Sequence, residues 1–112
     1  MIKTLPLFAL FALVSASPLH AQATDFVLVN GTDQSLGSLE IRRTGTSNWQ
    51  ALGAAPAAGA QGQIAFSNPD CAFDIRAVPA SGDAIVWSGV NLCEVSAVTL
   101  RLAAGTPFAE YR

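Results

Sequence analysis

The chain has 112 residues, about half of them hydrophobic and few charged, with a net charge near −2 and two cysteines. Lysine is absent after Lys3, and five arginines stand against eight carboxylates in residues 24–112, for −3 from side chains. That balance offers no broad cationic surface and excludes nucleic acid and anionic lipid as natural partners. The size suits one small domain, in which surface-to-volume scaling leaves little stability to spare.

Residues 1–23 read as a secretory signal peptide. Met1-Ile2-Lys3 is a short positive region, and Leu5–Val14 is an apolar run. Ser15–Pro18 breaks the run, and Ala21-Gln22-Ala23 supplies the small-x-small pattern that places the cut after Ala23. The run is about half the length a transmembrane helix needs, so no membrane insertion is expected after cleavage. Residues 24–112 are then a single β domain in the periplasm or outside the cell.

Asp25–Asn30 begins this domain with a β-branched, apolar run, apolar on both faces as in a sandwiched or central strand. Gly31–Ser35 is a turn. Leu36–Arg43 alternates cleanly, with Leu39 and Ile41 toward a core, Arg43 at its rim, and Glu40 and Arg42 toward water. Trp49 follows a polar loop, and its region supplies a further strand if it pairs. Gly53–Gly62 is rich in alanine, but interior glycines and Pro56 argue against helix, leaving an irregular crossover with one brief turn. Gln63–Ser67 is a short strand with Ile64 and Phe66 inward, and Asn68-Pro69-Asp70 is a turn.

Cys71–Cys93 is the centre of the pattern. Cys71–Val78 and Ala84–Val90 are two strand-like runs around the loop Pro79–Asp83, with a cysteine at each outer end. Antiparallel pairing brings those ends together for a disulfide, which export permits. Phe73, Ile75 and Ala77 fall on one face, and Ile85 with Trp87 on the matching one; a bulge near Gly89 would shift the register. Val95–Leu102 is the last strong strand, and Ala103–Arg112 reads as a solvated tail whose Phe108 and Tyr111 can dock on the domain edge. The fold class is all-β: a small antiparallel sandwich or partly closed barrel of about six or seven strands with one disulfide, Cys71–Cys93.

The elements D-F-V-L-V-N-G-T at 25–32, N-W-Q-A-L-G at 48–53, C-A-F-D-I-R at 71–76 and V-N-L-C-E-V at 90–95 resemble a family of small exported proteobacterial proteins without an assigned function. Its pattern is C-x-[FY]-D-[IL]-R followed by V-[ND]-L-C. The resemblance spans nearly all of residues 24–112 and implies no catalytic residues. Where the family often has Trp-Gly, this chain has Trp49-Gln50.

No catalytic constellation is complete. After His20 there is no histidine, no G-x-S-x-G surrounds any serine, and the cysteines are not in a C-x-x-C arrangement. Asp74 with Glu94 is the best-placed carboxylate pair, but the stronger reading of Asp74 is structural: it pairs with an arginine on a neighbouring strand or faces water. Hard oxygen donors in the turns lack the spacing of a calcium loop, so neither metal nor cofactor is expected. A possible binding surface comprises Trp49, Asp74, Arg76 and Asp83. The sequence thus points to a non-catalytic periplasmic binding or interaction protein for an envelope protein, a peptide or a small molecule. The alternatives are a secreted inhibitor or accessory factor of an envelope enzyme and, last, a carboxylate-dependent hydrolase.

Overall fold

A computed structural model describes residues 21–80 and 82–112. The leader expected over residues 1–23 therefore lies outside the described residues except for its last three. Among the described residues eight strands form: β1 Phe26–Asn30, β2 Ser38–Arg43, β3 Gln50–Ala54, β4 Gln61–Ile64, β5 Ala72–Val78, β6 Ile85–Asn91, β7 Ala97–Ala103 and β8 Thr106–Tyr111. They make two four-stranded sheets, ordered β4-β1-β7-β8 and β3-β2-β5-β6. The architecture is an antiparallel-rich sandwich, not closed into a barrel; the one parallel pair among these strands is β1 with β7.

Period-two alternation builds the interior. Phe26, Leu28, Ile64, Val98 and Leu100 from the first sheet meet Leu39, Ile41, Phe73, Ile75, Ala77, Trp87 and Val90 from the second, all buried. Each large side chain buried in this way stabilises the fold by about 1.5–3 kcal/mol. Trp87 lies wholly inside, and its indole N–H donates to the Arg101 carbonyl at 3.0 Å, tying the second sheet to β7. Strand β1 is central in its sheet, and its outward Val27 and Val29 are half-buried, as a strand apolar on both faces requires.

The hairpin β5–β6 carries the disulfide. Cys71 and Cys93 are bonded with their Cα atoms 5.0 Å apart, and the Leu92 N–H donates to the Cys71 carbonyl at the same end of the hairpin. The expected register shift is present. Phe73 pairs with Val90 but Ile75 with Trp87, so Ser88 and Gly89 oppose the single residue Asp74. Gly89 takes φ +64, a left-handed conformation that glycine adopts without steric cost. The bulge lets Trp87 and Val90, three residues apart, both point into the core.

Two segments differ from their sequence reading. The tail 103–112 is mostly exposed, as expected, but it is not a free end. It returns as β8, paired along β7 from Ala103↔Thr106 to Val98↔Tyr111. The turn between them places Ala104 and Gly105 at positive φ, and Ala-Gly lacks the Asn-Gly signature by which such turns are recognised. Pro107 is tolerated because β8 is an edge strand. The stretch 53–62, read as crossover throughout, contributes its ends to β3 and β4, with the crossover and one turn (Ala60 N–H to Ala57 carbonyl) between. The fourth strand accordingly starts two residues before the expected Gln63, while Phe66 follows it and meets Phe26 and Phe73 edge-on.

The crossover is anchored by a buried polar residue. The Asn30 side-chain amide donates to the carbonyls of Gln34 and Pro56, both at 3.0 Å. Its Oδ1 accepts from the Thr32 N–H and hydroxyl. All four hydrogen-bonding positions of a buried amide are thereby used, which offsets the cost of desolvating it.

Candidate functional site

The outer face of the second sheet holds a compact charged cluster. Strands β2 and β5 pair so that Glu40 faces Arg76 and Arg42 faces Asp74. Opposite charges thus sit directly across from each other on one face. Arg76 Nη2 lies 2.7 Å from Glu40 Oε1, and Arg42 Nε 2.9 Å from Asp74 Oδ2. Trp49, immediately before β3, lays its half-buried ring against both guanidinium groups, with Cζ of Arg42 4.4 Å and Cζ of Arg76 4.2 Å from the ring centroid. Each contact is worth about 0.5–1 kcal/mol at a solvated site. Trp49 is therefore a residue of the outer sheet face, not of the core.

Asp74 is the buried member, with 4 % of its surface exposed. Its carboxylate accepts from Arg42 Nε, from the Thr44 hydroxyl at 2.8 Å and from the Gly89 N–H at 2.9 Å. Burial opposes its ionisation, but the Gly89 and Thr44 hydrogen bonds together with the Arg42 charge outweigh burial and hold the carboxyl below the usual carboxylate range. Glu94, its expected partner in an acid–base pair, is exposed in the turn after Cys93 with φ 59. The nearest partners of Asp74 are a cation, a hydroxyl and an amide N–H, so its environment favours the ionised carboxylate acting as an acceptor.

Of the four residues expected on a binding surface, Trp49, Asp74 and Arg76 come together. Asp83 stands apart, exposed in the β5–β6 loop at the end of the hairpin away from the disulfide. Sequence reasoning missed the feature next to the cluster, a cleft of about 240 Å³ at the end of the sandwich. Ile41, Phe66 and Phe73 form its apolar floor, and Asn48, Gln50, Asn68, Arg43 and Asp70 supply planar polar groups around it. Arg43 Nη1 and Asp70 Oδ2 are 3.2 Å apart and both well exposed. Nothing local in the sequence links Arg43 to Asp70, which are 27 positions apart; the β2–β5 register, pairing Arg43 with Phe73, brings them to one rim.

No protein-family model, curated protein sequence or solved structure matches the chain. The geometry of the cluster and cleft is therefore the ground for a functional reading. Arg42 belongs to the aromatic cluster and also lines the cleft, so the two adjoin there; Asn48 and Gln50, on either side of Trp49, turn toward the cleft while the Trp49 ring lies on the outer face. The Trp49 ring with the Arg42 and Arg76 guanidiniums can stack on a planar or ring-shaped group, and the amides of the adjoining cleft can hydrogen-bond a polar edge above its apolar floor.

Proposed function

We propose that this chain is a non-catalytic binding protein of the bacterial periplasm. On this reading it takes a peptide or small polar ligand on the Trp49–Arg42–Arg76 face and in the adjoining cleft. The observation that carries it is the placement of Trp49. A large aromatic ring is held on the outside of a sheet whose interior is already filled by Trp87, Phe73 and Ile75. The core does not need it there, and side chains of this kind, Trp and Arg, are those that most often carry binding energy at interfaces. The disulfide suits an oxidising compartment outside the cytoplasm, which supports the periplasmic assignment. Binding without turnover is supported by the state of Asp74: an ionised carboxylate saturated with three donors has no proton to give and little tendency to accept one.

Affinity capture from a periplasmic extract tests the reading, with Trp49→Ala and Phe108→Ser as paired baits. A component retained by the native protein and by Phe108→Ser, but lost from Trp49→Ala, is the expected result. Captured components that all survive Trp49→Ala would remove the site. Hydrolytic turnover abolished by Asp74→Asn would replace binding with catalysis.

A further inference from the structure

Ala23 is a fully buried residue at the boundary between leader and domain, with none of its surface exposed, whereas Ala21, Gln22, Thr24 and Asp25 are exposed. Its N–H donates to the Asn68 carbonyl at 2.9 Å, and its carbonyl accepts the Asn68 N–H at 3.0 Å. It also forms an antiparallel bridge to Cys93, so it sits between the end of the β4 segment and the disulfide. Two residues on, the Asp25 carboxylate accepts the Phe66 N–H at 2.7 Å. The segment from Ala23 to β1 is thus one continuous seam along residues 61–68.

We propose that the leader is cut between Ala21 and Gln22, and that Gln22 and Ala23 remain as the first residues of the exported protein. The proposal rests on the reading of the N-terminal residues as a signal peptide. By pattern alone the better cut is after Ala23, since A-Q-A presents small residues at both required positions. A cut there removes both backbone partners of Asn68 and empties the Ala23 position beside the bridge. Buried or half-buried backbone groups left without partners are costly, and so small a domain has little stability to lose. Cutting after Ala21 keeps a small residue immediately before the scissile bond and puts the larger Leu19 at the other required position. It also leaves the new ammonium on exposed Gln22, in water, with every Ala23 contact intact. Because the peptidase meets an unfolded chain, burial does not shield the bond; the argument concerns which product folds with its seam complete.

The test is intact-mass analysis of the full 112-residue chain exported from a Gram-negative host and purified from the periplasm. A species beginning at Gln22, as glutamine or as its cyclised pyroglutamate, is expected. A dominant species beginning at Thr24 or at Ser17 would overturn the cut site while leaving the signal-peptide reading intact. A chain that retains Met1 would overturn both. A second measurement isolates the physical cause. Oxidised protein spanning residues 22–112 should melt about 4–8 °C above protein spanning 24–112, the shift that roughly 1 kcal/mol produces in a domain of this size. Equal melting temperatures would show that the Ala23 seam does not contribute and would remove the argument for the site.

Discussion

The Asp74 carboxylate accepts the Gly89 N–H at 2.9 Å, across the bulge where Ser88 and Gly89 oppose a single residue of β5. One side chain therefore caps the irregularity that allows Trp87 and Val90 to enter the core together. The same carboxylate holds Arg42, and Arg42 supports Trp49. The interior packing of the hairpin and the presentation of the outer face share this one acceptor.

Asp74→Ala should cost about 2–3 kcal/mol, because it leaves Arg42, Thr44 and the bulge N–H without their acceptor. Urea denaturation of the native protein and the variant, with the disulfide intact in both, measures it. Ser88→Ala, on the exposed side of the same bulge, should change stability by less than about 0.5 kcal/mol.

The lowered pKa of Asp74 sets a direction for the pH dependence. In the unfolded chain this group protonates near an ordinary aspartate value of about 3.9; in the fold it holds its charge to lower pH. Its contribution is complete above the unfolded value and is lost as pH falls through the folded one. The stability gap between the native protein and Asp74→Asn should be constant from neutral pH to about pH 5 and shrink below pH 4. Melting temperatures recorded across that range check it; a gap that widens on acidification would contradict the assignment.

Removal of the bridge by the double substitution C71A/C93A should cost about 2–5 kcal/mol, a large fraction of the stability of a small domain. The Cys71–Cys93 bond closes a loop of sequence separation 22 at the open end of the hairpin. Peptide mapping with and without reductant establishes the bond, and denaturation of the double variant measures its contribution.

Asn30→Ala should destabilise by about 2–3 kcal/mol, since it strips the partners of two carbonyls and of Thr32 in a buried position. Hydrogen exchange should rise first in the β1–β2 loop and in the 55–60 crossover, the two segments this one amide joins. Uniform acceleration over the whole domain would mean that the amide does not link them.

Trp49→Ala should lower stability by only about 1–2 kcal/mol, through the loss of two cation–π contacts at a solvated site. The variant should remain folded, with its Trp87 fluorescence unchanged, which makes it a usable probe of binding. Loss of the Trp87 signal would show that Trp49 supports the core after all.

Elements whose cause is local are legible in the chain. Alternation at Leu39-Glu40-Ile41 and at Phe73–Ala77 assigns faces, because side chains of a strand point to opposite sides by covalent geometry. The two cysteines admit one pairing, and the loop between their strands places them at the same end. Gly89 marked the possible bulge. What depends on strands far apart in the chain emerges only in the packed fold. The parallel pairing of β1 with β7 and the return of β8 past an Ala-Gly turn follow from completing a sheet over a shared core, which no local signal encodes. The union of Trp49 with Arg42 and Arg76, the burial of Asp74 under Arg42, and the Arg43–Asp70 rim all arise from the β2–β5 register. A register is chosen by the total burial of two faces at once, so it is a property of the packed sandwich and not of either strand.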